Sequence, residues 1–232
     1  MQTIIPNGLR VLAAYSGVGG CTRGYQQAGF HVTGIDIAPQ PRYCGDHFIQ
    51  GDAVDYIVRH GHEYDLIHAG PPCQHDCTLT AGTNAGRGAQ YPDLLEPTRA
   101  ALELTGRPFV IEQPPGKASK RMRVDVTLCG EMFGLRVIRH RNFELGRWTM
   151  PQPTHRKHRG RVAGMRHGRW YEGPYYAVYG DGGGKGSVQD WQQAMGIDWT
   201  DVRKEIAEAI PPAYSQHLGA AFYERFATAA AA

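Results

Sequence analysis

The chain is poor in the features that define several large classes of protein. Its five cysteines are scattered and odd in number. They outline no disulfide framework, and a reduced, cytoplasmic protein is expected. No apolar run approaches the roughly 20 residues of a membrane span. Met1-Gln2-Thr3-Ile4-Ile5-Pro6 lacks the basic region and long apolar stretch of a signal peptide, so no membrane partner is expected. No internal repeat is present. Cys73 and Cys77 flank His75, but Cys-x-x-x-Cys without a second pair fits no structural zinc pattern, and no metal is expected. The net charge of +3 over 232 residues excludes a polycation. The most informative absence is local. Between Gly146 and Tyr171 there is no Asp or Glu, while six Arg, one Lys and three His crowd the same stretch.

What is present reads as one α/β domain. Arg10-Val11-Leu12-Ala13-Ala14 is a buried strand that runs into Tyr15-Ser16-Gly17-Val18-Gly19-Gly20, and Cys21 to Ala28 is a helix stopped by Gly29. Such a strand–turn–helix brings bare backbone to a ligand and points helix N–H groups at it. A tight structural turn is the alternative. His31-Val32-Thr33-Gly34-Ile35-Asp36 ends a second strand in an acid, the position that grips ribose hydroxyls in nucleotide-binding sheets or else caps a helix. Phe48 to Asp52 is a third strand. Asp52 either caps a helix from Ala53 to His60 or touches a base edge.

The centre of the chain is Leu66-Ile67-His68-Ala69-Gly70-Pro71-Pro72-Cys73-Gln74. A short apolar run ends in two prolines that stop it, and a thiol stands immediately after. A second such strand, Phe109-Val110-Ile111, ends in Glu112-Gln113-Pro114. If the two strands are neighbours, a nucleophile and a carboxyl group share one crevice at the carboxyl edge of the sheet, where open α/β folds bind ligands. The glycine-rich loop from Gln74 to Pro92 reads as a lid or as a surface loop. Leu94 to Leu104 is a helix, and Cys129 is expected to be a buried core thiol. Arg139-His140-Arg141-Asn142-Phe143-Glu144-Leu145 resumes a strand from which arginines either enter the crevice or stay solvated.

The expected organisation is a core over residues 1–145, a basic insert over 146–186 and closing helices over 187–232. In the insert, Arg156, Lys157, Arg159 and Arg161 precede Trp170, Tyr171, Tyr175, Tyr176 and Tyr179. Cations neutralise phosphates and aromatic faces meet bases, so a nucleic-acid surface is expected there; a solvated loop is the alternative.

Taken in order, these pieces resemble the cytosine-C5 DNA methyltransferase family, in particular its small phage-type members. The resemblance rests on Tyr15 to Gly20, Ala28-Gly29-Phe30, Asp36, Gly51-Asp52, Pro71-Pro72-Cys73-Gln74, Glu112-Gln113-Pro114, Arg139-His140-Arg141 and Ala209-Ile210-Pro211-Pro212, followed by Gly219. It implies a Rossmann-like S-adenosylmethionine-dependent methyltransferase sheet with helices on both faces and a reduced target-recognition insert. The cofactor would lie on Tyr15, Ser16, Gly17, Gly19, Gly20, Asp36, Ile37, Asp52, Ala53 and Pro71. Cys73 would be the nucleophile, Glu112 the cytosine-binding acid, and Arg139 and Arg141 would assist. Gln74, Arg87, Arg156, Lys157, Arg159 and Arg161 would meet double-stranded DNA. A monomer, phage-encoded and acting in a bacterial host, fits the same resemblance. RNA as substrate, or a binding protein on a degenerate methyltransferase fold, are the alternatives.

Three departures stand out. Ala13 occupies a position where the family carries an acid, the family's Glu-Asn-Val is Glu112-Gln113-Pro114, and its Gln-x-Arg-x-Arg is matched only by Arg139 and Arg141. A short insert presents few side chains to base edges, and each bidentate contact is worth about 1–3 kcal/mol, so a site of about two to four base pairs is expected.

Overall fold

Short apolar runs, each bounded by Gly, Pro or Asp, make the centre of a seven-stranded sheet. The computed structural model describes residues 4–73, 92–180 and 186–230. Its strands are β1 (Arg10–Ala14), β2 (His31–Asp36), β3 (His47–Gln50), β4 (Leu66–Ala69), β5 (Phe109–Gln113), β6 (Val126–Leu128) and β7 (Arg141–Gly146). They lie in the order β3-β2-β1-β4-β5-β7-β6. Neighbours from β3 to β5 are parallel, and β7 runs antiparallel to both β5 and β6.

The strands carry apolar residues at successive positions because both faces are covered. Val11 and Ala13 point to one side, into a core with Tyr25, Phe143, Tyr214, Leu218 and Phe222. Leu12 and Ala14 point to the other, against Ile35, Ile57, Ile67, Leu102 and Ile111. Helices α1 (Gly20–Gln27) and α6 (Pro212–Ala230) cover the first face, and α2 (Ala53–His60) and α3 (Leu95–Leu104) the second. A third core joins Val137 and Val178 to Trp191 and Met195 of α4 (Val188–Met195) and Ile206 of α5 (Arg203–Glu208). Pro211 and Pro212, which the sequence presents as a break, stand before and at the start of α6. Proline is favoured in the first helical turn, where its missing N–H costs nothing. Among the described residues, no helix is long and apolar enough to cross a membrane.

The segment expected as a basic insert is anchored at both ends. Trp148 is buried in the first core and donates its indole N–H to the Phe109 carbonyl at 3.0 Å. Tyr175 and Val178 are buried where the segment returns. Residues 151–174 project between these anchors and carry a two-stranded hairpin, β8 (Gly164–Arg166) and β9 (Arg169–Tyr171).

Glycine sets the distance between α1 and α6. A Cβ on Gly20 would overlap the Ile210 carbonyl, and one on Gly24 would overlap the Pro212 carbonyl and Ser215 Oγ. Gly219 faces Tyr25 in the same seam. Gly24→Ala therefore forces the helices apart. It is expected to cost about 1–3 kcal/mol or more, as overpacking of a filled core does, read as a lowered midpoint in urea unfolding.

Candidate active site at the carboxyl edge of the sheet

The register brings four strand ends into line. Ala14 pairs with Ile35 on one side and Ala69 on the other, and Ala69 pairs with Ile111. The next residue on each strand gives a row across the sheet: Asp36, Tyr15, Gly70 and Glu112. The chain crosses from one side of β1 to the other between β3 and β4, so the ends of β1 and β4 border the crevice of a topological switch point.

On the β1 side, Gly17 and Gly19 take positive φ values of 49° and 99°, which turn the chain sharply into α1. The Gly17 N–H donates to Asp36 Oδ2 at 2.9 Å, and Asp36 Oδ1 accepts from Ala38 N–H at 3.1 Å. A carboxylate is thereby fixed beside the glycine turn with lone pairs to spare. Nothing lies within 4 Å of where a Gly17 Cβ would stand, so the turn faces open space. Ile37, next to the acid, is 71% exposed. Ser16 and Ala53 are buried. Tyr15 shares a hydrogen bond of 2.7 Å with Thr98 Oγ1. Asp52 caps α2 by accepting from Asp55 N–H at 2.8 Å, and Gly51 N–H reaches back to the Asp36 carbonyl at 2.9 Å. Gly20 has a packing role, since its Cα faces the Ile210 carbonyl. Ala13 lies wholly in the core.

On the β4–β5 side, Glu112 and Arg141 meet. Arg141 Nε stands 2.7 Å from Glu112 Oε1, and the two side chains are only 15% and 13% exposed. The antiparallel entry of β7 beside β5 makes this possible, with Gln113 opposite Asn142. Burial pushes the Glu112 carboxyl above its ordinary value, and the Arg141 and Arg139 cations draw it partly back. Arg139 is buried. Desolvation first, and then Arg141, press its guanidinium down to about 9, which leaves it cationic at neutral pH. Its Nη1 donates to the Val178 carbonyl at 2.8 Å and its Nη2 to the Ala207 carbonyl. A negative charge at Cys73 would favour the Arg139 cation.

Cys73 is half-buried just past Pro71 and Pro72. Two residues that local reading undervalues place it. Gln113 Nε2 donates to the Pro71 carbonyl at 2.7 Å and ties the end of β5 to the turn that carries the thiol. Thus the departure at Gln113 supplies a supporting bond of its own. Gly70 leaves room for the acid, since a Cβ there would stand 3.3 Å from Glu112 Oε2. Three buried polar atoms in this corner, Glu112 Oε1, Gln113 Oε1 and Arg139 Nε, have no hydrogen-bond partner among the described residues. The Arg141 contact to Glu112 is close but not aligned as a hydrogen bond. Orphaned polar atoms beside a thiol are suited to a polar ligand.

The remaining expected residues divide. Arg159 is ion-paired to Glu131 at 2.7 Å. Arg161 donates to the Glu172 carbonyl at 3.0 Å and lies over the Tyr171 ring. Arg156 and Lys157 are exposed, with no ion pair among the described residues. Gln74 and Arg87, with the rest of the expected lid, lie outside the described residues. Trp199, for which the sequence offers no local signal, donates its indole N–H to the Val18 carbonyl at 3.0 Å and holds the glycine turn from behind.

No family model and no curated protein sequence matches the chain. Among solved structures, it is similar to the S. pombe Dnmt2 methyltransferase, with a TM-score of 0.59 and 13% identity over 94% of this chain and 99% of that one. It is also similar to a protein titled a DNA modification methyltransferase encoded within a prophage, from E. coli. There the TM-score is 0.42 and identity is 24% over 60% of this chain, which spans 46% of that one. The S. pombe likeness is one of fold: a mostly parallel seven-stranded sheet of the methyltransferase type.

Gln113→Ala is expected to leave the Pro71 carbonyl unsatisfied, at a cost of about 1–3 kcal/mol. Denaturant unfolding reads the loss. Iodoacetamide labelling of Cys73, followed by peptide mass spectrometry, is expected to be faster than in the wild type as the turn loosens.

Proposed function

We propose that the chain transfers a methyl group from S-adenosylmethionine to C5 of a cytosine in double-stranded DNA. The observation that carries the proposal is the Glu112–Arg141 pair at the end of β5, bound through Gln113 to the turn that bears Cys73. The crevice fits the cofactor. An oriented acid suits a ribose, an exposed Ile37 suits the face of a purine, and a glycine turn open toward solvent admits the remainder. Asp36, Ile37 and the Gly17–Gly19 backbone would hold it, with Asp52 near the base. When bound, the cofactor supplies an electrophilic methyl group.

The chain's own residues do the activating. Cytosine C5 is a weak nucleophile. As Cys73 thiolate forms a bond to C6, electrons move from the 5,6 double bond into the ring and onto N3, and C5 gains enamine character. Glu112, kept protonated further up in pH by burial, gives or shares a proton at N3. Arg141 orients Glu112, and the two arginines oppose charge building up on the O2 edge. Once C5 carries the methyl group, loss of its proton to a base expels the Cys73 thiolate, and N3 returns its proton to Glu112, which restores the ring. A base stacked in a duplex must leave the stack to reach this crevice. The projecting basic segment, with Arg156 and Lys157 exposed, suits the phosphates on either side.

Methyl-labelled cofactor with duplex DNA and tRNA in parallel tests the reading. Labelled 5-methylcytosine is expected in DNA, and Cys73→Ala is expected to lower its formation by about 10³-fold or more. Label confined to tRNA would overturn the substrate, and unchanged labelling by Cys73→Ala would overturn the nucleophile. Glu112→Gln should lower the rate by about 10²–10⁴-fold. The protonated carboxyl is lost as pH rises through its raised value, so the wild type should show a descending alkaline limb that the Gln variant lacks. In binding assays, joint replacement of Arg156 and Lys157 by Ala should weaken DNA equally across sequences. It should also shallow the log–log salt slope by up to about 1.8, at about 0.9 per phosphate contact.

A further inference from the structure

Cys129, His140, His155 and His158 converge on one point beside the β6–β7 pair. Their candidate ligand atoms all lie within 4.8 Å of one another. Cys129 follows β6 and His140 precedes β7. Leu128 pairs with Arg141 across these antiparallel strands, so Cys129 and His140 stand opposite each other in the next row. His155-Arg156-Lys157-His158 comes from the projecting basic segment. From these positions we infer that the four residues form a zinc site, Cys129 as thiolate and three neutral histidines, which pins the basic segment to the sheet edge.

The distances suit the ion. A tetrahedral zinc with bonds of about 2.0–2.1 Å to nitrogen and about 2.3 Å to sulfur holds its nitrogens about 3.3 Å apart and its sulfur about 3.5 Å from each nitrogen. Here His158 Nε2 stands 3.2 Å from His155 Nε2 and 3.5 Å from Cys129 Sγ. The three imidazole rings lie 4.9–5.2 Å apart, centroid to centroid, with their planes inclined by 46–85° to one another. Bonds outside the cluster hold the loop in place. Arg159 N–H donates to Tyr175 Oη at 3.3 Å, and Arg159 pairs with Glu131. One thiolate and three imidazoles make a borderline-soft, four-coordinate set that prefers zinc over the oxygen-seeking cations. Cys129 is buried, whereas His155 is exposed and gives the ion an entry path. The site draws on neither His75 nor Cys77, the residues whose spacing raised the question of metal. It is closed by four protein ligands, so it fits a structural ion and not a catalytic one.

The site also bears on the crevice through His140, which sits between Arg139 and Arg141. A bound ion there would fix the start of the strand that delivers Arg141 to Glu112. The inference does not depend on the methyl-transfer reading, and its test uses no activity.

Full-length protein without a histidine tag, stripped with a chelator and dialysed, would be titrated with zinc against a competing dye and with cobalt(II) by absorption. One ion per chain is expected, with the intense visible bands of tetrahedral cobalt and a sulfur-to-cobalt charge-transfer band. Cys129→Ser should remove the charge-transfer band. His155→Ala, at an exposed position where folding can be checked by circular dichroism, should weaken zinc by about 100-fold or more, at least the loss commonly seen when a group that merely orients a ligand is removed. Zinc should slow tryptic cleavage after Arg156 and Lys157. No binding at micromolar zinc, the weak bands of octahedral cobalt, or spectra untouched by both variants would overturn the site. Unchanged cleavage on saturation would overturn the pinning.

Discussion

A carboxyl group held at the edge of water beside two guanidinium groups is the constraint from which the rest of the crevice follows. Buried alone, Glu112 would be neutral and inert as an anion. Beside a single well-aligned arginine it would be a plain ion pair. The intermediate condition needs Arg141 close, Arg139 nearby but committed to the Val178 and Ala207 carbonyls, and a missing side chain at Gly70. Each requirement recruits a different part of the chain. β7 must enter the sheet backwards, the segment near Val178 must return to the core, and α5 must bring the Ala207 carbonyl to Arg139. Tyr214 completes the set by donating its hydroxyl to the Arg139 carbonyl at 2.6 Å from α6.

The same economy holds on the β1 side of the crevice. Asp36 is oriented by the Gly17 N–H, the glycine turn is held from behind by Trp199, and α1 is brought close to α6 because Gly20 and Gly24 have no side chains. Glycine in this turn serves two ends. Gly17 and Gly19 allow the bend, while Gly20 allows the helix behind it to be approached.

How far the sequence was legible depended on how local the cause was. β1, β2, β4 and β5 could be read because doubly covered strands carry short, mostly apolar runs and end near Gly, Pro or an acid. Glu112 and Asp36 could be read for the same reason: strand ends on one edge share a crevice. Arg141 was half legible, since alternation puts it on one face, but only the antiparallel pairing with β5 says which partner it meets. Arg159 and Arg161 looked like free cations and are engaged by Glu131 and Glu172, whose distance in sequence or backbone acceptor no composition reveals. Cys129 was expected as an ordinary core thiol. It is buried, but its neighbours are three histidines supplied from 11, 26 and 29 residues further on, and no spacing rule covers that separation. Gln113 looked like a loss, and its bond to Pro71 emerges only when β4 and β5 are side by side.

The first and last segments of the chain interlock. Val18 is bound by Trp199, Arg42 is clasped by Glu205 at 2.6 Å, and α1 is packed by α6. The bonds of Val18 to Trp199 and of Arg42 to Glu205 thus join residues 181 and 163 positions apart. During synthesis the early strands and α1 emerge with an open apolar seam and with Val18 not yet bound by Trp199, and contacts of such long sequence separation form slowly. The seam between α1 and α6 therefore closes only once α6 is free to dock, and the apolar face of α1 stays partly uncovered until then.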